Sequence, residues 1–451
     1  MIEGILIGLT TALTLQNILM VMVGCFFGTI IGMLPGLGPM TAIALMIPIT
    51  YGFDPATGLI LMAGVYYGAV FGGSTSSILL NAPGVPGTVA TSFDGYPMAQ
   101  QGKAGKALAI AAWSSFAGGT LSAIYLLFMA PSLSKVSLSF RSPDYFALMI
   151  LGLTAIAAFS SKGQFLKAMM MVVLGLMLAS VGQDSLSDIT RFTFDNMNLT
   201  DGISFVLVVM ATFAMSEALT IILKRNDPTS AAKQVSLTEL GSIKINKEER
   251  TKMYKTIPRS SIIGFLIGVL PGAGATIASF LAYGMERNVV NDEEKEKFGK
   301  GSVNGLSAPE TANNAACSGS FVPMLTLGIP GSGTTAVMLG ALLGFGVQPG
   351  PRLYMTNPEI FWSIIMSMYI GMVILLILNL PLIPYIARIL AVPKNYLIPL
   401  ILFFSVTGIY VMSFNNFDIY LMIGIAVAVS YTHLRAHETG RNLVCRLLLE
   451  K

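Results

Sequence analysis

The strongest constraint on this chain is where its charge is missing. Residues 4–53 carry no acidic or basic side chain, and the first basic residue is Lys103. A helix that crosses the hydrocarbon core of a bilayer needs about 20 apolar residues, and such windows recur along the sequence. Only 11% of the residues are charged and 54% are apolar, whereas a soluble domain carries about 25% charged residues. Lipid is therefore the solvent for most of the chain, and the predicted fold is an all-α polytopic membrane protein. Apolar windows fall near 15–34, 39–52, 57–80, 107–130, 144–161, 164–181, 203–223, 260–285, 313–348, 359–391, 396–413 and from 417 onward. They amount to roughly ten to twelve transmembrane or re-entrant helices. Glycine (46) and proline (22) stand inside these windows, which a membrane tolerates where neighbouring helices or a wet cavity satisfy the freed backbone.

Those interruptions repeat. Residues 28–38 read GTIIGMLPGLG and residues 264–274 read GFLIGVLPGAG. Each half then has a second punctuated run, GGSTSSILLNAPG at 72–84 and GSFVPMLTLGIPG at 319–331, with the opening Gly and closing Pro-Gly equally spaced. A single Gly-Pro cluster usually only kinks a helix; four in matched order point to a transporter binding site. The expected organisation is a first membrane half at 1–223, a cytoplasmic basic loop at 224–259, and a second half at 260–429. The stretch from Lys224 to Arg259 holds nine basic residues against four acids, which places it inside. The loop with Asp184, Asp188, Asp195 and Asp201 is then periplasmic. Lys103, Lys106, Lys162 and Lys167 also fall inside, and Lys135 with Arg141 runs against the rule. On these charges the two halves are inverted relative to each other.

Three long runs carry a family resemblance: GTIIGMLPGLGPMTAIALMIPIT (28–50), GGSTSSILLNAPGVPGTVATSFDGYPMAQQGKAGKAL (72–108) and LSAPETANNAACSGSFVPMLTLGIPGSGTTAVMLGALL (306–343). In these runs, and in outline from the N-terminus to about residue 429, the chain resembles the large membrane subunit of the tripartite tricarboxylate transporters, the TctA type. The resemblance implies a secondary transporter for carboxylates in a bacterial inner membrane, driven by a sodium or proton gradient. It also implies two partners, a small membrane subunit (TctB-type) and a periplasmic solute-binding protein (TctC-type). No other cofactor is expected.

An anionic substrate needs positive potential, yet the candidate core segments contain no Lys or Arg. A helix that restarts after a Gly-Pro break offers free N–H groups and the positive end of its dipole. The expected substrate-binding residues are therefore Pro35, Gly36, Gly38, Ser74, Thr75, Ser76, Ser77 and Asn81 in one half. In the other they are Pro271, Gly272, Gly274, Ser332, Thr334 and Thr335. Hydroxyls in membrane helices also serve packing or bond back to the i−4 carbonyl, and that alternative stays open for each. Glu310 is the sharpest single candidate. An acid at membrane depth is costly and suggests proton or cation coupling, and Asn313 and Asn314 share its helical face, giving oxygen ligands that suit sodium. A helix-capping Glu at the interface is the alternative. Asp94 and Asp54 read as turn or cap residues, with Asp94 also resembling a loop residue of the family. Residues 286–300 read as a solvated connection.

Cys25, Cys317 and Cys445 have neither disulfide nor metal-ligand spacing. Met1-Ile2-Glu3 lacks the basic start of a cleavable signal. From Ser430 the pattern changes, both histidines lie beyond it, and 430–451 reads as a non-native tail on a chain whose own sequence continues past Val429, with an amphipathic tail on the membrane surface as the alternative. Without those histidines no Ser-His or HExxH arrangement exists, and no GxxxxGK[ST] is present, so neither an enzyme nor an ATP-driven pump is expected. The competing readings are a glycine-rich anion channel and an ion-coupled carrier that needs no binding protein.

Overall fold

The computed structural model describes residues 2–34, 37–139, 141, 143–144, 146–147, 150, 165–183, 189–223, 241–386 and 394–449. The predicted segment at 144–161, together with Pro35, Gly36, Lys162, Asp184, Asp188 and the first part of the basic loop, lies almost wholly outside them. Among the described residues the regular structure is helical except for a two-residue antiparallel pairing of Gly182–Gln183 with Thr190–Arg191. Among the described residues four helices are long and apolar enough to cross a membrane.

The chain divides into two compact units, Met1–Leu174 with Lys233–Ala391, and Gly175–Ala232 with Val392–Lys451. These units cut across the halves marked by the repeat. In the second unit, Ser430 Oγ donates to the Ser216 carbonyl at 3.0 Å, and a helix runs through Asn416–Leu449.

The first unit contains α1 (Ile2–Ala12), α2 (Leu15–Met33), α3 (Gly38–Thr50), α4 (Pro55–Leu80), α5 (Val89–Met98) and α6 (Ala104–Ser137) from the first half. From the second half come α7 (Lys247–Val269), α8 (Gly274–Val289), α9 (Val303–Gly319), α10 (Phe321–Leu327), α11 (Gly333–Gly344) and α12 (Pro358–Asn379). Two of these were not expected. Helix α1 is too short to span, and Gly4 and Gly8 let it lie directly on Trp362 of α12. Helix α5 forms from VATSFDGYPM despite its Gly and Pro, because its Ala90, Thr91, Asp94 and Met98 face is buried.

Helices α2 and α4 pack through matched glycines. A Cβ at Gly28 would lie 2.3 Å from the Val65 carbonyl oxygen, and one at Gly68 2.5 Å from that of Cys25. Only a missing side chain permits that approach, the small-residue packing characteristic of membrane helices. The second half repeats it between α7 and α9, where a Cβ at Gly264 would meet the Ala312 oxygen at 2.4 Å.

Helix α9 is the centre of the unit. It packs against α4, α5, α6, α7 and α8, and every residue from Asn304 to Gly319 is buried. Its Asn, Ser, Thr and Glu content would not identify it as a membrane helix, and its shielding by five neighbours explains why it is tolerated.

The charged ends are more ordered than a solvated connection. Asp94 is no turn residue: it sits within α5, fully buried. Its Oδ1 accepts the N–H groups of Gly299 (2.9 Å), Gly301 (2.9 Å) and Ser302 (2.6 Å), and its Oδ2 accepts the Tyr283 hydroxyl at 3.0 Å. The carboxylate thereby pins the loop that leads into α9. Glu286, read as solvated, is also fully buried and pairs with Arg259 at 2.7 Å. Lys252 lies 2.7 Å from Glu248 and 3.0 Å from Glu294. Partial burial works against its charge, but the two carboxylates outweigh it and hold its pKa above the ordinary lysine value.

Two outcomes follow from this packing. Gly68→Val drives a side chain into the Cys25 carbonyl and is expected to cost about 2 kcal/mol or more, read as a lowered melting temperature in detergent. Gly284→Ala, with nothing within 4 Å, serves as the neutral control, and equal melting of both variants would contradict the close approach. Asp94→Ala strands four donors and is expected to expose the 292–301 loop to limited proteolysis, whereas wild-type resistance would show that the carboxylate is dispensable there.

Candidate functional site

Glu310 occupies the middle of α9 with no solvent exposure. Ser74 Oγ of α4 donates to Oε2 at 2.7 Å, Ser115 Oγ of α6 donates to the same oxygen at 2.8 Å, and Thr91 Oγ1 of α5 donates to Oε1. Three hydroxyls from three first-half helices thus meet one second-half carboxylate. None of these partners is a cation. A carboxyl group offers about four acceptor sites, and these three hydroxyls occupy three of them. Beside it, Ser74, Thr75, Ser115 and Asn379 line a small cavity with room for about one water, and Asn379 Oδ1 there has no hydrogen-bond partner.

The sequence singled out Glu310 and Ser74, and the structure joins them. Thr91 and Ser115 went unnoticed. Ser115 sits in WSSF within a charge-free helix, which is a weak polar signal, and nothing in the sequence connects either residue to Glu310. One turn toward the start of α9, Ser307 Oγ lies 2.7 Å from Ser114 Oγ of α6, so the polar contact between the halves continues.

The Pro-Gly breaks match in backbone detail. Leu34 and Leu270 end α2 and α7 with φ/ψ of −81/111 and −78/119, their N–H groups donating to Ile31 and Ile267 carbonyls. Gly38 (φ +67) and Gly274 (φ +64) start α3 and α8 in the left-handed region, which costs glycine least. Among the described residues neither restart has a side-chain cap, so the first-turn N–H groups, which Pro39 lacks, are left without one. The second breaks also match. Asn81 (φ 52) and Gly328 (φ 71) end α4 and α10 in the same conformation, with Ala82 N–H donating to Ser76 O and Ile329 N–H to Pro323 O. Gly272 N–H, beside Pro271, donates to Gly331 O at 3.2 Å and ties the two second-half breaks together.

The remaining expected residues divide by what their polar atoms do. Ser76 and Ser77 donate to the Gly73 carbonyl at 3.2 and 2.9 Å, and Ser77 also reaches Thr88 at 2.8 Å. Ser332 and Thr335 form a capping box at the start of α11, where Thr334 is buried. The Tyr66 hydroxyl lies 3.2 Å from Ser332 Oγ and 3.5 Å from Ser320 Oγ. Asn314 Nδ2 donates to the Glu310 backbone carbonyl at 3.0 Å. Asn313 does not bond the Glu310 carboxylate: it is fully buried, and among the described residues neither amide atom has a hydrogen-bond partner. Pro35 and Gly36 lie outside the described residues. Among the described residues no group of three His, Cys, Asp or Glu side chains is placed to hold a metal ion.

Known proteins are similar to this chain. The model of the tripartite tricarboxylate transporter TctA family matches residues 18–435. An Agrobacterium vitis protein described as an uncharacterized 52.8 kDa protein in the TAR-I ttuC' 3' region is 42% identical over 423 residues, covering 94% of this chain and 83% of that protein. A second, described as an uncharacterized protein in the TAR-II ttuC' 3' region of the same organism, is 44% identical over 160 residues, covering 36% of this chain and 65% of that protein. No solved structure matches the chain. With a match running through almost all of its helices, the chain belongs to the tripartite tricarboxylate transporter TctA family.

Proposed function

We propose that this chain is the large permease subunit of a binding-protein-dependent secondary transporter in a bacterial inner membrane. It takes up citrate-like tri- or dicarboxylates with a small TctB-type membrane subunit and a TctC-type periplasmic solute-binding protein. The two halves are inverted, as the loop charges suggest, so that the breaks of each approach the membrane centre from opposite sides. Substrate carboxylates are held by the uncapped restarts of α3 and α8 rather than by Lys or Arg. Neutral donors bind an anion less tightly than an arginine clamp, which suits a carrier that must release its cargo.

The observation that carries this reading is the Glu310 cluster. A fully buried carboxylate with three hydroxyl donors and no cationic partner is expensive to keep at membrane depth. It is retained because a sodium ion or a proton visits it, and Ser74, Thr91 and Ser115 are the oxygens that share that ion or reorient when it arrives. The donors belong to one half and the acid to the other, so occupancy of the site links the two halves. Movement of one against the other, as in carriers built from repeats, would then depend on the ion.

The test is accumulation of labelled citrate and succinate by vesicles holding this chain, its small subunit and its binding protein, with sodium and proton gradients imposed separately. Wild type is expected to accumulate label above equilibrium under one of the gradients. Glu310→Gln keeps the side-chain volume, so its insertion should be normal while gradient-driven accumulation falls by about tenfold or more. Normal accumulation by Glu310→Gln would remove the coupling role. Flux in wild type that only equilibrates would favour a channel.

A further inference from the structure

The register of the two halves gives Asn313 a counterpart. Features of α4 recur in and after α9 at a constant displacement: Gly72 and Gly319 meet Thr29 of α2 and Phe265 of α7, Asn81 and Gly328 take the left-handed cap, and Gly84 and Gly331 close the break. On that register Tyr66 matches Asn313, and each reaches across to the break of the opposite half. The Tyr66 hydroxyl meets Ser332 and Ser320. The Asn313 amide meets Gly87, where a Cβ would lie 2.3 Å from Asn313 Oδ1.

The two positions differ in one respect. Tyr66 is satisfied, whereas Asn313 has an amide whose nitrogen and oxygen both lack a partner in a side chain with no exposure. Leaving such a group unpaired is costly. Its surroundings indicate what would pair with it. Gly87 belongs to the helical turn Pro86–Thr88, which packs against α8, and a Cβ at Gly87 would also touch Ala275 of the first turn of α8 at 3.4 Å. That turn follows the Pro271–Gly274 break, has no side-chain cap and contains no acid. The amide and this uncapped turn therefore both border Gly87, and the notch between them lies at the positive end of the helix dipole. This potential repels a cation and attracts an anion.

We propose that Asn313, Gly87 and the first turn of α8 form a subsite for one carboxylate group of the transported anion. This deepens the transporter reading and rests on it. The carboxylate accepts from Asn313 Nδ2 and from backbone N–H groups of α8, and Gly87 preserves space that a methyl group would take. The first half has no equivalent subsite, because Tyr66 fills the matched position and spends its hydroxyl on Ser332 and Ser320. Asn313 lies one helical turn from Glu310, so the anion subsite and the coupling acid are neighbours on α9.

The experiment compares the purified full-length chain with Asn313→Asp, Gly87→Ala and Tyr66→Phe, using citrate and succinate as probes. Melting temperature in detergent is titrated with each anion, and accumulation is measured with the complete three-protein system. Asn313→Asp and Gly87→Ala are expected to raise the half-saturating anion concentration by about tenfold or more, while Tyr66→Phe stays within about twofold. Melting without anion shows whether each variant is folded, and the two substitutions approach the notch from different segments, so misfolding of one leaves the other to decide. A wild type that accumulates a probe while the folded variants keep its half-saturation, or that shows no melting shift at all, overturns the subsite and leaves transport standing. A wild-type system that accumulates neither probe overturns the transport reading and the subsite with it.

Discussion

A buried carboxylate in a lipid-solvated protein must be met by donors, and the arrangement around Glu310 follows from that requirement. It has no solvent exposure, so Ser74, Thr91 and Ser115 supply the hydrogen bonds that bulk water would have supplied. Each donor sits on a different helix, so α4, α5 and α6 must all approach α9 closely. That approach needs small residues at the contacts, and Gly118 of α6 illustrates it: a Cβ there would lie 2.5 Å from the Thr311 carbonyl oxygen of α9. The glycine-rich composition and the polar core are thus two sides of one constraint. Helices without bulky side chains pack tightly by dispersion and backbone contact, the main packing force available in lipid.

The duplicated architecture supplies the frame and then departs from symmetry where chemistry is placed. Leu34 and Leu270, Gly38 and Gly274, and Asn81 and Gly328 have nearly the same backbone conformations in the two halves. The side chains mounted on that frame differ. The acid and the unpaired amide are both on α9, while the hydroxyl donors come from α4, α5 and α6. An equal distribution would give two similar sites. The observed one concentrates the polar groups on a single polar helix packed against helices of both halves.

The helical membrane fold was legible because hydrophobic windows are a local property of the chain. The Pro-Gly breaks were legible for the same reason, and the matched breaks appeared where the repeated motifs stood. Glu310 could be found as an acid in an apolar neighbourhood. Its partners could not: Thr91 and Ser115 are 219 and 195 residues away in sequence, and a hydroxyl in a membrane helix looks the same whether it bonds its own backbone, as Ser77 does, or a distant carboxylate, as Ser115 does. Asp94 was misread as a turn residue because its neighbours Gly95 and Pro97 are turn formers in water, whereas here tertiary burial keeps α5 helical. Helix α1 was missed because eleven residues are too few to span, and only its contact with Trp362 gives it a place.

The central claim is that first-half hydroxyls and the second-half α9 meet around Glu310, and the Ser114–Ser307 contact allows it to be measured directly. The double variant Ser114→Cys, Ser307→Cys, in a chain with Cys25, Cys317 and Cys445 replaced by alanine, would be oxidised in native membranes and digested for mass spectrometry. With hydroxyl oxygens 2.7 Å apart, the two thiols are expected to form an intramolecular disulfide joining α6 to α9 in high yield, and neither single variant should give it. Free thiols at both positions after oxidation would mean that α6 does not lie against α9 in the membrane, and the proposed origin of the Glu310 cluster would be wrong.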